Sequence, residues 1–147
     1  ASQYYFNHHE AACFPTIVIN DTSKTQYLFR INKGRESSQD SINEYMSEEK
    51  RPVPFSNMIY IGDGLTDVPC MTVVKNYGGY AVAVHRPNNE RSIDVCKELT
   101  KANRIDYFAP ADYRKGRKLE KRVQTMLDLV IANISFEREK FEFQQEL

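Results

Sequence analysis

The chain has 147 residues, 41% hydrophobic and 27% charged, which is ordinary globular usage and excludes disorder, a collagen-like repeat and a coiled-coil array. Its 20 Lys+Arg balance 20 Asp+Glu, so no global field steers polyanions and general nucleic-acid binding is disfavoured. Cys13, Cys70 and Cys96 form no C-x-x-C pair, against a disulfide framework or a structural zinc, and the apolar runs fall far short of the ~18 residues that span a bilayer. The expectation is one cytoplasmic domain over 1–147 with no membrane partner.

Residues 14–19 are short and β-branched and predict a strand. Tyr27, Leu28 and Ile31 then recur at helical spacing until Lys33-Gly34 supplies a stop. The pattern reads as βα rather than as a hairpin. Ser23 and Gln26 form an S-x-x-Q capping box that would put Lys24 at the first helical position, where a cation opposes the helix dipole and an anion beside the free N–H groups would remove the conflict. Residues 35–57 form a polar connection in which Ser41 to Glu44 predict one short capped helix, ended by Arg51-Pro52-Val53-Pro54.

A strand follows at 58–61, then the loop Gly62-Asp63-Gly64-Leu65-Thr66-Asp67-Val68-Pro69, then a helix through Met71, Val74 and Lys75 to Gly78-Gly79. Residues 80–84 repeat the strand signal, 88–102 are helical through Ile93, Cys96, Lys97 and Leu99, and 105–109 give a third strand. A last helix occupies 114–147, with Leu119, Val123, Met126, Leu127, Val130, Ile131 and Ile134 on one stripe and a charged, exposed end. Strands alternating with helices of this length imply an α/β fold with a parallel sheet, and ligands of such sheets bind outside the carboxyl ends of the strands, where 62–67 lies.

Gly-Asp-Gly after a buried strand lets the backbone turn sharply while Asp63 projects over the sheet edge, with Asp67 four residues later. Hard oxygen ligands in a small loop suit Mg²⁺, commonly completed by water and by phosphate oxygens. A dinucleotide fingerprint would need Gly where Asp67 stands, and the G-K-[ST] ending of a P-loop is absent. The bland alternative is a plain turn with Asp67 as a helix cap.

Gly62-Asp63-Gly64-x-Thr66-Asp67-x-Pro69 directly after a hydrophobic strand resembles the fourth motif of the haloacid dehalogenase (HAD) superfamily. Residues 24–34, 52–71 and 107–113 also read like a set of bacterial HAD-like hydrolases. The resemblance implies a Rossmann-like three-layer sandwich, an Mg²⁺ held by Asp63 and Asp67, loop geometry set by Gly62, Gly64 and Thr66, and a small phosphorylated metabolite hydrolysed through an aspartyl phosphate. It makes Lys24 the catalytic, phosphate-binding lysine of the third motif, with Lys33 the runner-up. Lys33 has a structural explanation already, because a cation at a helix end suits the dipole.

The superfamily's nucleophile lies in a D-x-D motif ending the first strand, and no D-x-D occurs here. Asp21, after the 14–19 strand, is the nearest lookalike, but Ser23 stands where the second carboxylate belongs. The chain therefore reads as the C-terminal part of a HAD hydrolase lacking the N-terminal strands. The strand at 58–61 is then expected to lack one neighbour, and the isolated chain to self-associate through that edge. The competing function is a non-catalytic Rossmann-like module that binds metal or phosphate.

His85, ending a strand, reads as a surface histidine that could line an entrance. His8 and His9 in an extended segment would point to opposite sides and make a poor metal site. Arg114, Lys115, Arg117, Lys118, Lys121 and Arg122 form a basic cluster, read as a solvated helix face, and Cys70 reads as a small buried hydrophobe.

Overall fold

The computed structural model describes residues 2–35, 37 and 40–146. They form two compact units, 1–52 and 53–147.

In the first unit β1 (Gln3–Phe6) and β2 (Ala12–Ile17) pair antiparallel. This corrects the βα expectation for the 14–19 run, because the strand starts earlier and its partner is a hairpin neighbour. The turn carries no Gly-containing signal. It closes instead through the Asn7 side chain, whose oxygen accepts from the His9 and Ala11 amides at 2.9 and 3.1 Å, with Glu10 at φ 58°. Tyr5 and Phe14 stack across the strands with ring centroids 5.2 Å apart. His8 and His9 fall in this turn with their rings 3.9 Å apart, so they do not point to opposite sides.

Helix α1 (Asp21–Lys33) starts three residues before Lys24, the expected first helical position. Asn20 is the N-cap, its side chain accepting from the Ser23 amide at 2.9 Å while the Ser23 hydroxyl accepts from the Asn20 amide at 2.8 Å. Ser23 is thus the third helical residue rather than the cap, and Lys24 the fourth rather than the first. Gly34 ends α1 at φ +63°, the left-handed cap that glycine adopts without a Cβ penalty. Beyond it, Arg30 Nη1 donates to the carbonyls of Ser37 and Asp40 at 2.5 and 3.1 Å, and Lys33 Nζ to those of Ile42 and Glu44 at 2.5 and 2.7 Å. Residues 41–44 form no helix, the carbonyls of Ile42 and Glu44 being turned toward Lys33, and a 3₁₀ turn appears later at Glu48–Lys50.

The second unit is α/β. Strands β3 (Ile59–Gly62), β4 (Tyr80–His85) and β5 (Tyr107–Pro110) form a parallel sheet in the order β3-β4-β5. Helix α2 (Val68–Asn76) connects β3 to β4, α3 (Glu90–Lys101) connects β4 to β5, and α4 (Lys118–Gln145) follows. The period of two along β4 divides the core. Ala81 and Ala83 face Met71 of α2 and Cys96 and Leu99 of α3, whereas Val82 and Val84 face Leu119 and Met126 of α4. Small residues meet the face that two helices cover, and larger ones meet the face that one helix covers. Asp106 ties the amino ends of the strands together, accepting from Lys75 Nζ at 2.7 Å and from the Ala81 amide at 2.8 Å.

The strands and α3 lie within two residues of their expected places. The α4 stripe is corrected: Leu119, Met126 and Val130 are buried, but Leu127, Ile131 and Ile134 are exposed. Leu127 and Ile131 lie ~100° round the helix from the buried Met126 and Val130, so they face away from the sheet, and beyond them a helix of 28 residues, ~42 Å long, outruns four-residue β5, which spans ~13 Å. Among the described residues β3 is an edge strand paired with β4. Among the described residues no helix is long and apolar enough to cross a membrane.

Candidate functional site

The three parallel strands bring Gly62, His85 and Pro110 to one edge of the sheet. The loop after β3 leaves that edge in a compact form. Gly64 is extended, the Asp67 amide donates back to the Gly64 carbonyl at 3.1 Å, and residues Leu65–Asp67 make one 3₁₀ turn that runs into α2. Pro69 stands in the first turn of α2, where a missing N–H costs nothing.

Asp67 occupies the N-cap position of α2, yet its side chain caps no helix amide. It is 5% exposed and folds back under the loop. One carboxylate oxygen accepts from the Tyr60 hydroxyl at 2.8 Å and the other from the Asp63 amide at 3.1 Å. A Cβ on Gly62 would lie 2.7 Å from both Cβ and Oδ2 of Asp67, so the bare glycine makes room for the carboxylate. Burial, then the Asp67 and Cys70 side chains, push the Tyr60 phenol far above its ordinary pKa, which keeps it a neutral donor. Tyr60 was missed in the sequence because it reads as one more residue of an apolar strand.

Asp63 is exposed, and its carboxylate has no hydrogen-bond or ion-pair partner among the described residues. The two carboxylates therefore have different surroundings: Asp67 is committed on both oxygens, and Asp63 is presented to solvent by the backbone that Asp67 holds. Asp63 fits a hard cation as a single ligand with water and phosphate oxygens completing the shell. Among the described residues no group of three or more His, Cys, Asp and Glu side chains could enclose a metal by itself.

Thr66 and Leu65 are exposed on the same loop. His85 is 8% exposed, with Nδ1 3.1 Å from the Arg86 carbonyl oxygen, which corrects its reading as a surface residue. Cys70 is fully buried, as expected.

Lys24 belongs to the first unit, where its Nζ lies 3.9 Å from Asp21. Asp21 at the helix start offsets the dipole conflict that singled out Lys24. Lys33 is absorbed by the two carbonyls already described. Asp21 follows an antiparallel hairpin strand and so lacks the placement of a nucleophile that ends a parallel strand.

At the other end of the sheet edge, Asp112 accepts from Arg114 Nε and Nη2 at 2.8 and 2.7 Å and pairs with Arg117 at 3.4 Å. The Arg114 hydrogen bonds hold its carboxyl at about 2. A depressed carboxylate pKa contributes stability above the ordinary range and loses it as pH falls through the folded value. Urea midpoints of the wild-type chain should therefore fall more steeply between pH 4 and pH 2 than those of Asp112→Asn, and parallel curves would refute the assignment. Arg122 donates to the Phe108 carbonyl and lies 4.9 Å from the Tyr107 ring centroid.

An uncharacterized protein of Borreliella burgdorferi is 38% identical over 104 residues. The match covers 69% of this chain, which spans about a third of the relative's length, 34%. No family model and no solved structure matches.

Proposed function

We propose that the chain carries part of the site of an Mg²⁺-dependent phosphomonoester hydrolase of the HAD superfamily, with the sheet the C-terminal half of that superfamily's Rossmann-like three-layer domain. One observation supports this most: an exposed, unpartnered Asp63 carboxylate at the carboxyl end of a parallel strand, on a loop held from beneath by the buried Asp67. Asp63 would hold Mg²⁺, which when bound supplies positive charge against the phosphate oxygens. Asp67 positions the loop, with Gly62 giving it space. The HAD resemblance gives Lys24 the neutralisation of the phosphoryl group. The nucleophilic Asp would be supplied from outside residues 1–147, in a cytoplasmic enzyme acting on a small phosphorylated metabolite. The edge of β3, with Ile61 partly exposed, is where the isolated chain would self-associate.

The absence of D-x-D favours a second reading, a non-catalytic module that binds metal or phosphate at the same loop. Calorimetric Mg²⁺ titration and p-nitrophenyl phosphate hydrolysis, with and without EDTA, separate the two from failure of both. The expected result for residues 1–147 is Mg²⁺ binding weakened at least ~10-fold by Asp63→Asn, in line with the loss of a ligand, and no turnover. Undiminished Mg²⁺ binding in Asp63→Asn, or none in the wild type, would refute the loop as the metal site. Turnover abolished by Asp63→Asn would mean that the nucleophile lies within the chain. A longer chain with its upstream residues that binds Mg²⁺ and still lacks turnover would establish the non-catalytic module.

A further inference from the structure

The carboxyl edge of the sheet has a second feature two strands from Asp63. A pocket of about 190 Å³ lies after β5, lined by Pro110, Asp112, Arg117 and Lys118. Its one acidic wall is already neutralised, since Asp112 takes a two-pronged contact from Arg114 and an ion pair from Arg117. The basic side chains around it have different fates. Arg122 is tied to the Phe108 carbonyl and the Tyr107 ring, whereas Lys115, Lys118 and Lys121 form no ion pair among the described residues. Of the cations lining the pocket, Arg117 is paired with Asp112 and Lys118 forms no ion pair among the described residues, so with Arg114 also on Asp112 the spot keeps a net positive charge at the edge where parallel α/β sheets bind ligands. The wall is also stiff. Arg114 is bound to Asp112 through its amide as well as its guanidinium, and the Gly116 amide donates to Glu120 Oε2 at 2.7 Å.

We propose that this pocket is a subsite for a second anionic group of the substrate, held by Arg117 and Lys118. The inference rests on the phosphatase reading and narrows it. Adjacent strands lie ~4.8 Å apart, so β3 and β5 run ~10 Å apart across β4, with β5 ending two residues further along it than β3. The substrate class is then a phosphomonoester that carries a second phosphate or a carboxylate on its β5 side. Arg117 offers a planar fork and Lys118 a point charge, a pair that suits either oxyanion.

The test uses the 147-residue chain with Mg²⁺ at constant ionic strength, comparing a hexose bisphosphate with the corresponding monophosphate by calorimetry. The bisphosphate should bind at least ~10-fold more tightly, and Arg117→Ala/Lys118→Ala should remove that gain while leaving the monophosphate unchanged. A gain that persists in the double variant, or no gain in the wild type, overturns the subsite. Amide shifts on adding inorganic phosphate or acetate distinguish the two oxyanions and separate the two ways of failing. Saturable shifts at 116–119 that remain in Asp63→Asn, with no Mg²⁺-dependent monophosphate binding, would sink the phosphatase reading and with it the substrate assignment. Shifts that do not saturate and spread over all lysines of α4 would sink the subsite alone, leaving a solvated basic face.

Discussion

Replacing Asp67 with alanine is expected to cost about 3 kcal/mol of stability, because it strands two donors in one step. The Tyr60 hydroxyl and the Asp63 amide both donate to that carboxylate, and bonds to a charged acceptor contribute about 1.5–3 kcal/mol each. A unit of this size has roughly 5–14 kcal/mol in all, so the loss is a large fraction. With a urea m-value of about 2 kcal/mol per M, the midpoint should drop by about 1.5 M. Asp67→Asn is the informative partner. Its amide oxygen can still accept from the Asp63 amide and its NH₂ can donate to the Tyr60 oxygen, so most of the stability should return. Equal loss in both variants would mean that charge, not hydrogen-bond geometry, holds the loop, and no loss in Asp67→Ala would refute the buttress altogether.

Gly62→Ala should be comparably damaging by a different route. The new methyl would meet the Asp67 Cβ and carboxylate at 2.7 Å, closer than carbon and oxygen atoms approach, and the nearby atoms belong to a buried side chain with no free space to retreat into. Overpacking of this kind costs about 1–3 kcal/mol, and displacing the carboxylate from its two donors adds about as much as losing one of them. Gly64→Ala is the control. Nothing lies within 4 Å of its added methyl, and its φ of −162° is extended backbone that any residue adopts, so its stability should stay within ~0.5 kcal/mol of wild type. Both variants should be assayed for Mg²⁺ binding as well as for stability. If Gly62→Ala keeps wild-type stability, the packing of Asp67 beneath the loop is not what shapes the site.

Tyr60 illustrates how a residue becomes legible only with its partner. In the sequence it is an aromatic within a strand, which β-propensity alone explains. In the fold its hydroxyl reaches a carboxylate seven residues later, and no periodicity marks that pairing. Lys24 shows the converse. Its apparent conflict with the helix dipole came from taking Ser23 as the cap, and moving the cap to Asn20 brings Asp21 into the first turn to offset it.

The alternation of strand and helix from residue 58 onward, the parallel α/β class of that unit and the Gly-Asp-Gly loop at a strand's carboxyl end were all determined by local pattern. Burial by period two in β4, helical stripes and glycine stops are properties of adjacent residues, so they are written in adjacent letters. Tertiary structure alone decided the rest. The N-terminal hairpin depends on a side-chain-closed turn, the carbonyls of Ile42 and Glu44 go to Lys33 rather than to a helix, and part of the α4 stripe stays exposed because Leu127 and Ile131 sit ~100° round the helix from the buried Met126 and Val130. It also decided that Asp63 and Asp67, identical in type and four residues apart, take opposite places, one bare at the surface and one buried beneath it. That difference follows from which carboxylate finds donors in the folded chain, a contact between elements that no residue carries by itself.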